Sequence, residues 1–225
     1  MLAFDQRKDE ANLFVAKRFT EEKLQRQITL ELFSLTNARE IFELIDRNRD
    51  HLSQHGETTA IKYPTYESVV ESITNPKQPC KQRYAIRNGL GQLVGSINLN
   101  PNDNNPKRGK IGYYLGKEFQ GHGYMTQAVE ALTEIAFGEL GYDTLFGDAR
   151  EDNFASANVF IRAGYQETGL VDDDVDKNYL DIEFTMDKTD ITIPSSFLSP
   201  HSEPTASNSS QTPQSERGPI ADLQV

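Results

Sequence analysis

The spacing of apolar and polar residues divides the chain into three stretches. Residues 27–189 show regular periodicity, and the two ends do not. Gln27–Phe33 (QITLELF) alternates and is rich in strand formers, which predicts a strand. Thr36 and Asn37 then offer caps for a helix through AREIFELIDRNRDHL, with Ile41, Leu44 and Ile45 on one face. A second helix is expected in TYESVVESI, stopped by Asn75-Pro76. RYAIRN and QLVGSINLN flank a Gly-Leu-Gly turn and read as a hairpin. A polar loop, Pro101–Lys107, leads to a further strand in GKIGYYLG. After a turn, Ala128, Val129, Leu132, Ile135 and Ala136 recur at helical spacing, and Gly141 follows where a left-handed C-cap is expected. The strand TLFGDAR, a short helix over Ala155–Ala163 and two strands ending near Met186 complete the series. Antiparallel strands followed by β-α-β-α-β predict an α/β fold (α+β mixed), a mixed sheet with helices on both faces.

The ends differ in kind. Residues 1–26 are dense in charge with a ragged apolar stripe, and read as an N-terminal extension with helical character. Residues 190–225 are rich in Ser, Pro, Thr and Asn and lack apolar periodicity, so a disordered tail is expected. The chain has 225 residues and a formal net charge of −11, and its tail carries four acidic residues and one basic. The acidity therefore belongs to the folded part. It argues against nucleic acid as the main partner, since phosphate backbones call for a basic footprint. A negative field suits a cationic substrate such as an amine, with plain solubility as the more ordinary reason for the acidity. No apolar run is long enough to span a bilayer, and the N-terminus lacks the pattern of a secretory signal. The single cysteine, Cys80, provides neither an internal disulfide nor a basis for a metal site. A cytoplasmic protein is expected, with no membrane or nucleic-acid partner and no metal, as a monomer or homodimer.

The candidate chemistry lies in residues 111–165. The strand there runs into Gln120-Gly-His-Gly-Tyr-Met125, and a long helix follows. A glycine turn feeding a helix N-terminus presents unpaired N–H groups and the positive end of the helix dipole, which makes an anion site suited to a pyrophosphate. Gly121 and Gly123 allow the required backbone angles. Alone, the turn is weak evidence. It lacks the Gly-Lys-Ser/Thr of a P-loop, and Thr126 stands where a dinucleotide fingerprint has its third glycine.

Gln120-x-x-Gly123-x-Met125 resembles the cofactor motif of the GNAT acetyltransferases, Gln/Arg-x-x-Gly-x-Gly/Ala, with Met125 departing at the last position. A second block, Asn153-Phe-Ala-Ser156 through Gly164-Tyr165, resembles that superfamily's Asn-x-x-Ser/Ala … Gly-Phe/Tyr signature. Ile45–Leu52, IGYYL and AFGELGY are similar to the RimJ/RimL-like branch, which includes enzymes that acetylate ribosomal-protein N-termini. The resemblance covers about residues 27–188. It implies a mixed seven-stranded sheet that splays open between GKIGYYLG and TLFGDAR, with acetyl-CoA as co-substrate in the opening. The pyrophosphate would sit on residues 121–126, drawing on Gln120, Gly121, His122, Gly123, Tyr124, Met125 and Thr126. Pantetheine would run beside Leu115, whose N–H region is the candidate oxyanion donor, and Asn153 would bond the pantetheine arm.

Acetyl transfer needs a neutral amine, a held geometry, an oxyanion donor and a proton for the departing thiolate. Many enzymes of the superfamily supply that proton from a Tyr, and the matching residue here is Phe160. The RimJ/RimL-like resemblance implies Ser156 as the donor near the CoA sulfur; as a plain helix residue it would only decorate or cap its helix. In the acidic run Val171–Asp176, where the resemblance implies an acidic residue near the substrate amine, Asp173 is the first candidate base and Asp174 the next; a solvated acidic loop is the alternative. His51 and His55 follow the first helix and could line the acceptor side, with surface polar residues as the plainer reading; Tyr113 and Tyr114 face opposite sides of their strand, one in reach of substrate or, more commonly, both in the core. Three functions stay open: a protein N-terminal acetyltransferase, an acetyltransferase of small amines, and a non-catalytic CoA-binding module.

Overall fold

A computed structural model describes residues 27–77, 81–173 and 178–190. The expectations for residues 1–26 and 191–225, and for Cys80 and Asp174, lie outside these described residues. Seven strands form one sheet: β1 (Ile28–Leu32), β2 (Gln82–Asn88), β3 (Leu93–Pro101), β4 (Arg108–Leu115), β5 (Thr144–Arg150), β6 (Gln166–Asp172) and β7 (Leu180–Asp187). Their order across the sheet is β1-β2-β3-β4-β5-β7-β6. All neighbours are antiparallel except β4 and β5. The mixed seven-stranded sheet implied by the sequence is therefore present.

The helices are α1 (Ala38–Arg47), α2 (Thr59–Lys62), α3 (Tyr66–Thr74), α4 (Tyr124–Gly138) and α5 (Phe154–Arg162). Strand alternation sorts them onto two faces. Ala85 and Leu93 turn toward α1, α2 and α3, while their neighbours Ile86 and Val94 turn toward α4 and α5. Tyr113 and Tyr114 divide in the same way, as expected. Ile41, Leu44 and Ile45 are wholly buried under α1, each stabilising the fold by roughly 1.5–3 kcal/mol relative to exposure. In α4, Ala128, Val129, Leu132 and Ala136 are wholly buried. Gly141 takes φ 75° and the N–H of Tyr142 reaches back to the carbonyl of Ala136 at 3.1 Å, the helix stop read from the sequence.

Two local expectations are corrected. Asn37 does not cap α1 with its side chain; its Oδ1 accepts from Ser34 N (3.0 Å) and its Nδ2 donates to Leu32 O (3.0 Å), so it braces the preceding turn. The first helix also ends at Arg47 rather than continuing to Leu52. Asn48 stops it, because its side-chain Nδ2 donates to Leu44 O (3.0 Å) while its backbone N–H bonds Ile45 O (3.1 Å). The residues after Asn48 are thereby released as a loop, with a single 3-10 turn at His51–Ser53.

Candidate active site

The site begins where two strands part. β3 and β4 pair along β4 from Gly95↔Leu115 to Pro101↔Gly109. β4 and β5 pair only at Arg108↔Thr144, Gly109↔Leu145 and Lys110↔Phe146. An ion pair between Lys110 Nζ and Asp148 Oδ2 (2.6 Å) marks the fork. Beyond it the strands diverge around a cleft of about 870 Å³. Gly116 N donates to Val94 O (2.9 Å), so the alternation of the ladder turns the N–H and C=O of Leu115 and Tyr113 away from β3, toward the cleft. A ligand with an amide chain can pair there as an added strand.

One end of the cleft could hold an anion. Gly121 and Gly123 both lie in the left-handed region, φ 77° and 76°, which a residue with a Cβ seldom adopts. The turn they form leaves the six backbone N–H groups from Gly121 to Thr126 without an acceptor among the described residues. The N-terminus of α4, a helix of 15 residues, adds its dipole at the same place. Tyr124 and Met125 are buried in the core below, so the methionine that departs from the superfamily pattern anchors the helix and leaves its amide outward. His122 stacks on Tyr124 (centroids 5.3 Å apart) and its Nδ1 donates to Gln120 O (2.8 Å). Gln120 Nε2 lies 3.3 Å from His51 Nε2, which ties this loop to the residues after α1.

The middle of the cleft holds two hydroxyls. Asn153 caps α5: its Oδ1 accepts from Ser156 N (3.1 Å), and its Nδ2 has no partner among the described residues. Asn153 thus both caps the helix and retains a free donor facing the site it lines. Ser156 Oγ lies 3.0 Å from the hydroxyl of Tyr113 on the opposite wall. Burial raises the Tyr113 phenol above its ordinary range, keeping it protonated. Phe160, placed by sequence at the expected tyrosine, is 1 % exposed and stacks on Phe184 (5.4 Å). A Cβ on Gly147 would come within 2.1 Å of its Cζ, so the para position is filled by the β5 backbone and has no room for a hydroxyl.

The other end of the cleft gathers charged groups from three segments. Asp173 is 4 % exposed and lines it. A Cβ on Gly56 would stand 3.3 Å from Asp173 Oδ2 and 3.9 Å from Arg150 Nη1, which places the carboxylate and the guanidinium around the same glycine. Arg150 holds Asp152 through two hydrogen bonds, Nε to Oδ1 (3.0 Å) and Nη2 to Oδ2 (2.8 Å), and stacks on Tyr179. These bonds, with a further one from His55, keep the Asp152 carboxyl well below the usual carboxylate range. The His55–Asp152 contact spans 97 residues, so no local pattern in the sequence announces it. The same holds for Tyr113 and Ser156, 43 residues apart.

A sheet splayed at its parallel pair thus opens a cleft with free backbone amides at a helix start at one end and charged side chains at the other, an arrangement that could hold an extended anionic ligand. Residues 27–166 match the acetyltransferase (GNAT) domain, and the chain belongs to that family, whose members move an acetyl group from acetyl-CoA to an amine. The putative ribosomal N-acetyltransferase YdaF of Bacillus subtilis (strain 168) is 29% identical over 158 residues, 67% of this chain and 84% of that protein. Among solved structures, RimL, a ribosomal L7/L12 α-N-protein acetyltransferase in complex with CoA, is similar with a TM-score of 0.62 at 19% identity, covering 73% of this chain and 96% of that one. Spermidine N-acetyltransferase from Vibrio cholerae, in complex with CoA and spermine, is similar with a TM-score of 0.62 at 15% identity, covering 73% and 97%. No helix among the described residues is long and apolar enough to cross a membrane.

Proposed function

We propose that this enzyme acetylates a protein N-terminal α-amine, with Gln120 and residues 121–126 holding the pyrophosphate of acetyl-CoA and Leu115 and Asn153 holding its pantetheine. The free amides of 121–126, the open edge of β4 and the unpartnered Asn153 Nδ2 suit a long phosphorylated amide chain. The amide of Leu115 stands beside the thioester and donates to the oxyanion. Ser156, with Tyr113 behind it, gives the departing sulfur a hydroxyl proton. Asp173 is the anionic wall that draws the incoming ammonium into the acceptor end.

The observation that carries the choice of acceptor is the mixed charge of that end. Glu57 and Asp173 line it together with Lys62 and Arg150. A peptide N-terminus offers one cation followed by carbonyl oxygens, and both kinds of wall find a partner on it. A polyamine offers cations along its length, and Lys62 and Arg150 repel them. The similarity to YdaF points the same way. The test is acetyl-CoA turnover with peptides beginning Ser or Ala, set against spermidine and an aminoglycoside. The reading requires kcat/KM on a peptide at least tenfold above either small amine. A preference for spermidine would overturn it.

A further inference from the structure

Among the described residues, one non-glycine has a left-handed backbone: His55, φ 51°. Such a conformation is disfavoured by its Cβ and persists where surrounding contacts over-determine it, often at a working site. The contact that fixes His55 is Asp152, whose Oδ1 lies 2.9 Å from its Nδ1. Asp152 is itself locked by the two bonds from Arg150, which rests on the Tyr179 ring. Because Asp152 stays ionised, it accepts, and the neutral imidazole carries its hydrogen on Nδ1. The lone pair is then on Nε2, which has no partner among the described residues. His55 is among the residues that line the cleft.

We propose that His55 is the base that takes the proton from the acceptor ammonium, and that Asp152 is the positioning residue that fixes its tautomer. The inference rests on the reading of the cleft as an amine acetyltransferase site. The ionisable groups that share this part of the cleft are Asp152, bonded to His55, Arg150 and Asp173, both beside the neighbouring Gly56, Tyr179 under Arg150, and His51 and Glu57 of the same loop. An imidazole is better matched to the task than a carboxylate. Taking a proton from an α-ammonium is unfavourable by about 20-fold for an ordinary imidazole and by about 10,000-fold for an ordinary aspartate. Asp173 is left to attract the ammonium, and His55 to deprotonate it.

The protons balance. One leaves the ammonium nitrogen for Nε2 and passes to solvent from the exposed ring. The freed nitrogen lone pair forms the C–N bond to the acetyl carbon. As the tetrahedral centre collapses, the oxyanion pair reforms C=O, the C–S bond breaks with its electron pair on sulfur, the Ser156 hydroxyl gives its proton to that sulfur, and the second nitrogen proton, passed through solvent, replaces it on Ser156.

The test compares His55→Gln and Asp152→Asn with the unaltered enzyme, using acetyl-CoA and a peptide beginning Ser. His55→Gln should lower kcat about 100-fold and remove the acidic limb of the pH profile, with the Kd for acetyl-CoA unchanged within twofold. Asp152→Asn should lower kcat at least tenfold and let the ring hydrogen move to Nε2, because the imidazole loses the acceptor that fixes its tautomer. Nitrogen NMR of the imidazole at pH 8, which needs no acceptor, should show Nε2 unprotonated. The proposal is overturned if His55→Gln keeps kcat within threefold with its acidic limb in place, or if the neutral ring carries its hydrogen on Nε2. An enzyme that turns over spermidine instead of the peptide sinks the N-terminal reading alone; the same variants assayed on spermidine then decide the base.

Discussion

The hydroxyl of Tyr113 on β4 lies 3.0 Å from Oγ of Ser156 on α5, so two elements that diverge around the cleft are joined by a pair of proton-bearing groups at its centre. The tyrosine hydroxyl missing at Phe160 is present one ring away, since the Tyr113 and Phe160 centroids are 5.4 Å apart. If Ser156 delivers the proton to sulfur, Ser156→Ala lowers kcat by about 10- to 100-fold with little change in the KM for acetyl-CoA. Tyr113→Phe gives a smaller loss in the same direction. Unchanged turnover in Ser156→Ala would remove it from the mechanism.

Phe160 and Gly147 define each other. The ring occupies the space a side chain at 147 would need, since a Cβ there would lie 2.1 Å from its Cζ. Gly147→Ala should therefore destabilise the fold by about 1–3 kcal/mol through overpacking, read as a lower urea midpoint at unchanged m-value. Phe160→Tyr should destabilise similarly and should not raise kcat, because its hydroxyl meets the β5 backbone and not the cleft.

Gly121 and Gly123 differ from Gly147 in what surrounds them. No atom lies within 4 Å of a Cβ at Gly121, and only Gln127 Nε2, at 3.9 Å, does so at Gly123. Their requirement is the backbone angle. Gly123→Ala should lower stability by roughly 1–2 kcal/mol and weaken acetyl-CoA binding at least tenfold by calorimetry, since the amides of 121–126 lose their common direction. Binding as tight as in the unaltered protein would show that the loop does not hold the pyrophosphate.

The buried phenols predict alkaline sensitivity. Burial raises Tyr113, Tyr114 and Tyr165 above the ordinary tyrosine range. Above about pH 10 the unfolded chain releases these protons while the folded one retains them, so stability falls as pH rises. Each group contributes about 1.4 kcal/mol per pH unit in that window and nothing below it. Urea midpoints should be flat from pH 8 to 9.5 and drop steeply by pH 11, with Tyr113, Tyr114 and Tyr165, three of the nine tyrosines, ionising only on unfolding. Absorbance equivalent to all nine tyrosinates from the folded protein at pH 10.5 would contradict this.

What the sequence discloses follows from the range of the interactions. Strand alternation in QITLELF and QLVGSINLN, the helical repeat from Ala128 to Ala136 and the stop at Gly141 are local, and each is the element expected. The loop at Gln120–Met125 is also local, and its glycines adopt the angles a helix-start anion site needs. The end of α1 escapes a reading by periodicity because Asn48 competes for backbone acceptors through its side chain. Asp173 is reached by counting along a family-like pattern, and it does line the cleft. His55 looks like a surface residue in the sequence because its partner, Asp152, lies 97 residues away; only the closing of the sheet brings them together. Phe160 looks like a lost catalytic group, and its packing on Gly147 and Phe184 identifies it as core.

The central claim, that acetyl-CoA lies in the cleft between β4 and β5, is tested most directly by hydrogen exchange across the chain with and without acetyl-CoA. Bound acetyl-CoA should slow exchange at the amides of 121–126 and at Tyr113 and Leu115 on the open edge of β4, and leave β1, β2 and α3 unchanged. Protection absent from 121–126, or confined to a surface away from the fork at Lys110 and Asp148, would contradict the assignment of this cleft as the acetyl-CoA site.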